Sequence, residues 1–157
     1  EESGRFRILH FATHALLDDQ NPMYSRIVLS QSAGTGPEDG LLEAREILEL
    51  DLRADLVVLA ACQTAGGRVG AGEGIIGTSW AFFVAGSSST VATQWKVESA
   101  RAADLMVEFH RNLLKRGGGG RAMSKAQALR QAALKQLHGP YNHPAYWAAF
   151  IIIGDSR

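Results

Sequence analysis

The chain has 157 residues, with 16 basic and 16 acidic side chains, one cysteine and a hydrophobic fraction of 46%. A chain of this length fits one domain that buries about 70% of the surface its unfolded form exposes. The balanced charge argues against a nucleic-acid or membrane-surface binder, and one cysteine excludes an internal disulfide. We therefore expect a cytoplasmic protein with no nucleic-acid and no membrane partner.

Four segments are predicted to form strands because each carries a run of apolar residues. They are residues 5–13, 55–62, 89–95 and 147–154. The runs are continuous rather than alternating, which is typical of parallel strands covered on both faces.

Apolar residues at helical spacing predict helices after these strands. The predicted helices are residues 43–50, 75–85, 100–114 and a segment that begins with a capping box at Ser124 and ends near Leu137. Residues 31–37 are predicted to form a hairpin or loop, and residues 117–120 a flexible surface turn. Strands that alternate with helices predict a three-layer α/β sandwich with a mostly parallel sheet.

The chemistry of such a fold lies at the carboxyl ends of its strands. His14 follows the first predicted strand and Cys62 ends the second, so neighbouring strands would bring them together across a cleft. An imidazole beside a thiol can take its proton and later protonate a leaving amine. A lone cysteine at the end of an apolar strand is also typical of a small buried hydrophobe, and both interpretations stay open at this point.

Several motifs resemble those of one family. LHFATHA at residues 9–15 resembles the histidine motif of CHAT-domain proteins, which are caspase-like domains often attached to tetratricopeptide repeats. ADLVVLAACQTA at residues 54–65 resembles the family's cysteine motif, and a histidine about 50 residues before the cysteine is also the caspase spacing. Similar pieces follow in order at residues 72–77, 85–97, 124–134 and 143–155. The resemblance covers nearly the whole chain.

The resemblance implies a cysteine peptidase with a Cys–His dyad. Cys62 would be the nucleophile and His14 the general base and acid, while backbone amides at Ala15 and Cys62 would form the oxyanion hole. His10 is predicted to be a structural residue within the strand. The substrate pocket is predicted to contain four further residues, of which the two glutamates could recognise a basic side chain: Gln94, Trp95, Glu98 and Glu73.

The family also implies partners and a setting. A protein or peptide substrate is expected, together with tetratricopeptide repeats or other domains of a longer parent chain, in bacterial signalling. The chain begins almost directly at the histidine strand, so residues 1–157 resemble the C-terminal portion of a CHAT domain that lacks its N-terminal strands. An uncovered edge near residues 5–13 would then invite a partner or self-association.

One departure from the family pattern favours a second interpretation. The residue after the histidine is commonly glycine in this family, and here it is Ala15, which does not readily adopt a positive φ. An inactive caspase-like signalling or scaffold module is therefore the alternative to an active peptidase.

No cofactor and no metal are expected. GEGIIG at residues 72–77 has the form of a dinucleotide fingerprint, but it does not directly follow a strand and carries a negative charge at Glu73. Within a single strand, His10 and His14 would lie about 13 Å apart, too far to share a metal ion. The remaining histidines are predicted to be surface residues: His110, His138 and His143.

Overall fold

A computed structural model describes residues 3–18, 20–30, 39–60, 62–63, 73–115 and 123–157, with the backbone alone at residues 3, 62–63 and 73–76. The strands are, in chain order, β1 (Ile8–Phe11), β2 (His14–Leu16), β3 (Arg26–Val28), β4 (Leu41–Glu43), β5 (Leu56–Leu59), β6 (Cys62–Gln63), β7 (Ser89–Thr93) and β8 (Phe150–Gly154). The α-helices are α1 (Ala44–Ile47), α2 (Glu73–Val84), α3 (Ser99–Leu114), α4 (Lys125–Leu137) and α5 (Pro144–Trp147). The predicted loop at residues 31–37 and turn at residues 117–120 lie outside the described residues.

The main sheet has the strand order β1-β5-β7-β8. The first three strands run parallel, and β8 runs antiparallel to β7. Every residue of β5 and β7 is buried, as expected for central strands covered on both faces. The mostly parallel sheet predicted from the continuous apolar runs is confirmed.

Helices cover both faces of this sheet. On one face, Leu56 and Val58 pack with buried residues of α3 and α4, among them Leu105 and Phe109. On the other face, alternate residues of β5 pack with buried residues of α1 and α2: Val57, Leu59, Ile47, Ala81 and Phe82. Burying a side chain of this size stabilises the fold by about 1.5–3 kcal/mol. The predicted three-layer α/β sandwich is therefore confirmed.

The predicted helices differ from the observed ones mainly at their ends. The capping box of α4 forms, because Ser124 Oγ accepts the Gln127 N–H at 3.2 Å and Gln127 Oε1 accepts the Ser124 N–H at 3.3 Å. The helix α1 begins one residue later than predicted, since Glu43 acts as its N-cap in a second capping box, and it ends at Ile47 rather than at residue 50. After α2, Gly86 has φ +109°, and a Cβ there would lie 2.1 Å from the Leu52 carbonyl oxygen.

A second, small sheet has the order β4-β3-β2-β6 and was not predicted. The strand β2 begins just after the first predicted strand, residues 5–13, and β6 begins at the last residue of the second, residues 55–62. The chain therefore changes sheet near the carboxyl end of each predicted strand. Strands of two or three residues are too short for a hydrophobic period to reveal them. The hydroxyl of Thr13 donates to the Val28 carbonyl at 2.5 Å, which connects the segment between β1 and β2 to the strand β3.

The strand β1 lies at one end of the main sheet. Its residue Ile8 is 40% exposed, and Phe6 just before it is 54% exposed. Self-association through this edge stays a prediction. Among the described residues, no helix combines the length and apolar character needed to cross a bilayer.

Candidate active site

The small sheet brings the predicted histidine and cysteine positions together. The strands β2 and β6 run parallel, and His14 is the register partner of Cys62, as Ala15 is of Gln63. Neighbouring strands lie about 4.8 Å apart, and register partners in a parallel pair share one face of the sheet. The side chain of His14 is exposed. The backbone therefore places an accessible imidazole beside the cysteine position.

A groove of about 800 Å³ opens beside His14, between the ends of β1 and β2 and the helix α3. Its described lining is His10, Ala12, Thr13, His14, Ala60, Lys96, Ser99, Ala102, Ala103, Met106, Val107, His110, Arg111 and Leu114. The lining is mostly apolar, and its formally charged members are Lys96 and Arg111. No aspartate or glutamate occurs among these described lining residues.

Two histidines meet in this groove. His110 Nε2 lies 3.1 Å from His10 Nδ1, and the ring centroids are 5.0 Å apart. Burial lowers the pKa of His10, with a further lowering from the neighbouring His110, and burial also lowers the pKa of His110. Both shifts favour the neutral form of each ring, in which one ring can donate its N–H to the other.

The histidine contact adds to one expectation and changes another. His10 lies within the strand β1, as predicted, and its ring also contacts His110 of α3 across the groove, while its structural role stays a prediction. His110 was predicted to be a surface residue, and it is half-buried. The assumption that His10 and His14 belong to one strand is also wrong, because they lie in β1 and β2 of different sheets.

The histidine pair predicts a loss of stability in mild acid. A lowered pKa means that the unfolded chain binds more protons than the folded one once the pH falls below about 6.5. The free energy of unfolding, measured by urea denaturation, is therefore expected to decrease from pH 7.5 to pH 5.5. The variant His110→Gln should show a weaker decrease, and the exposed control His138→Gln should behave like the parent chain. Equal pH dependence in His110→Gln and the parent chain would contradict this account.

The predicted substrate-pocket residues lie after β7. Gln94 is exposed and donates its backbone N–H to the Ala149 carbonyl at 2.9 Å. The indole of Trp95 donates to the Ala145 carbonyl at 3.1 Å, and Glu98 is the exposed N-cap of α3. None of these three is among the described residues of the groove, where Lys96 and Ser99 occur. Glu73 begins α2, and its side chain lies outside the described part of the chain.

The alanine after His14 causes no backbone strain. Ala15 lies within β2, and among the described residues only glycines have a positive φ. A Cβ is therefore compatible with the conformation at this position. Ala15 pairs with Ile27 on one side and Gln63 on the other. The oxyanion role of the Ala15 and Cys62 amides stays a prediction.

No cluster of three or more potential ligands from histidine, cysteine, aspartate and glutamate occurs in the described ranges. Gly72, the first residue of the glycine-rich motif, lies outside those ranges.

The main sheet is mostly parallel and has helices on both faces. Beyond the ends of β1 and β5, a histidine is the register partner of a cysteine. Together these features define a caspase-like α/β domain. The family model described as CHAT domain matches residues 1–155, and the chain belongs to this family. The family predicted from the sequence motifs is thereby confirmed.

Two curated relatives are both named tetratricopeptide repeat protein 28. The mouse (Mus musculus) protein is 33% identical over 115 residues, which cover 73% of this chain and 4% of that protein. The human (Homo sapiens) protein is 31% identical over 115 residues, with the same shares. The chain therefore spans only about 4% of the length of these relatives. Their names agree with the predicted link between this family and tetratricopeptide repeats, whereas the bacterial setting stays a prediction.

Proposed function

We propose that this domain is a cysteine endopeptidase that cleaves a protein or peptide substrate through Cys62 and His14. The observation that carries the proposal is the register pairing of these residues on adjacent parallel strands. A nucleophile and its base must lie within hydrogen-bonding reach, and neighbouring backbones about 4.8 Å apart allow that. Membership of a caspase-like family supports the same chemistry.

The proposed reaction has two stages. In the first, His14 accepts the thiol proton of Cys62, the sulfur attacks the scissile carbonyl carbon, and the backbone amides of Ala15 and Cys62 stabilise the oxyanion. His14 then returns the proton to the leaving amine as the C–N bond breaks, which leaves a thioester. In the second stage, His14 takes a proton from water, the hydroxide attacks the thioester, and the thiol is released with its proton restored.

The surroundings of His14 suit this role. Its side chain is exposed, so a substrate carbonyl and a water molecule can both reach it. The adjoining groove offers apolar walls over about 800 Å³, within the usual range of binding pockets. The lowered pKa values of His10 and His110 favour neutral imidazoles in the groove that His14 also lines.

The proposal predicts an unusually reactive Cys62. A peptide-based acyloxymethyl ketone should alkylate Cys62 of the native chain at least about tenfold faster than it alkylates the same chain unfolded in urea, because a dyad raises the thiolate fraction. Mass spectrometry of the digested protein locates the adduct, and Cys62→Ala is the matched control. Native labelling no faster than that of the unfolded chain would contradict the proposal.

An inactive scaffold module is the second candidate function. The exposed Phe6 and Ile8 at the end strand of the main sheet favour it, because apolar residues at a strand edge are typical of an interaction surface. Repeats or other domains of a longer parent chain are the partners that we propose for such a module. The labelling experiment distinguishes the two, since a scaffold needs no activated thiol.

A further inference from the structure

We propose that the groove beside His14, defined above by its lining, binds a substrate segment in which an acidic side chain is flanked by apolar ones. The inference rests on the proposed peptidase function and adds a substrate class to it. It differs from the prediction made from the sequence, in which Glu73 and Glu98 recognise a basic side chain of the substrate. Glu98 is not among the described residues that line the groove.

The charge of the groove is positive. Lys96 and Arg111 line it, both are exposed, and no carboxylate occurs among the lining residues that the structure describes. Lys96 forms no ion pair with any other described residue. Lys96 lies just before α3 and Arg111 in its last turn, so a positive charge lies at each end of the α3 wall, and an anionic side chain is favoured beside either one.

An acidic neighbour compensates the positive charge of Arg111 only in part. Glu108 Oε2 lies 3.8 Å from Arg111 Nη1, but it is 2.6 Å from Lys135 Nζ, and Glu108 Oε1 is 3.9 Å from Lys115 Nζ. The Lys135 hydrogen bond is the main reason that the pKa of Glu108 is lowered. One carboxylate shared by three cations leaves the cluster with a net positive charge.

The rest of the groove suits apolar side chains. Val107 and Leu114 of α3 are 50% and 79% exposed, an unusual position for large hydrophobic residues. The remaining apolar wall consists of Met106 and four alanines: Ala12, Ala60, Ala102 and Ala103. A volume of about 800 Å³ accommodates a short peptide segment rather than one side chain.

The position of the groove connects it with the proposed chemistry. Thr13 and His14 line the same space as Lys96 and Arg111, so a segment held by the cations extends toward the dyad. An acidic residue beside Lys96 and apolar residues on the α3 wall would together fix the position of the scissile bond.

Binding is tested without catalysis, in the Cys62→Ala variant. The probes are a fluorescein-labelled peptide, Ala-Leu-Asp-Ala-Leu, and its Ala-Leu-Asn-Ala-Leu counterpart, measured by fluorescence anisotropy at low salt. We expect the aspartate peptide to bind about tenfold more tightly than the asparagine peptide, a preference of about 1.4 kcal/mol. Added salt should reduce this preference.

A charge reversal then locates the effect. Lys96→Glu should abolish the preference for aspartate, whereas Arg53→Glu, an exposed residue outside the described lining with the same change in net charge, should preserve it. Equal affinity for both peptides, absence of saturable binding, or a preference that survives Lys96→Glu would overturn the inference. Because these measurements need no active thiol, such a failure would leave the labelling of Cys62 as a separate test of the peptidase function.

Discussion

Replacing His14 with alanine is expected to lower the rate of Cys62 acylation by about 10²–10⁴-fold, the usual contribution of a general base. In the proposed mechanism, this variant lacks the group that accepts the thiol proton, and an unassisted thiol has a pKa of about 8.5. The leaving amine loses its proton donor at the same time. His14 is exposed at a strand end, so its replacement should cost little folding stability.

The rate is measured with a peptide thioester as acyl donor, by following the appearance of the acylated chain by mass spectrometry. His138→Ala is the matched control, because His138 is an exposed histidine at the end of α4. The thermal midpoints of both variants show whether the fold is intact. A decrease of less than about threefold in a folded His14→Ala variant would contradict the role of His14 as general base, because a general base contributes far more.

The layered fold could be predicted because its central elements are long and uniformly apolar. The segment that contains β5 is an unbroken run of apolar residues, and burial on both faces requires such a run. The capping box at Ser124 predicted the start of α4 for a similar reason, since its two hydrogen bonds depend on residues only three positions apart. A capping box and a strand buried on both faces can therefore both be recognised from the amino-acid sequence alone.

The small sheet could not be predicted, because nothing local specifies it. The strands β2 and β6 have three and two residues, and their pairing depends on how β1 and β5 end. From the sequence, His14 and Cys62 were predicted to lie near each other because both stand at the carboxyl ends of neighbouring strands in one sheet. The structure pairs those positions in a second sheet, which specifies their register.

The set of residues that line the groove also could not be predicted from the sequence. His10 and His110 are 100 positions apart and belong to no shared motif, so their contact appears only when α3 packs against β1. Lys96 is not among the four residues predicted for the substrate pocket. Its position in the groove depends on where α3 begins, at Ser99.

The central claim is that positions 14 and 62 are direct neighbours, and a His14→Cys variant tests it. Cys62 is the only native cysteine, so oxidation of this variant can form a single intramolecular disulfide. Register partners about 4.8 Å apart lie within the range of about 4.4–6.8 Å between the Cα atoms of a disulfide. Leu16→Cys is the matched control, since its position lies about 6.6 Å further along β2.

The disulfide is measured in the folded monomer by intact mass and by the loss of both free thiols. We predict nearly complete bridging in His14→Cys under conditions in which Leu16→Cys keeps its thiols. Bridging in Leu16→Cys but not in His14→Cys, or in neither variant, would separate the histidine and cysteine positions and contradict the proposed dyad.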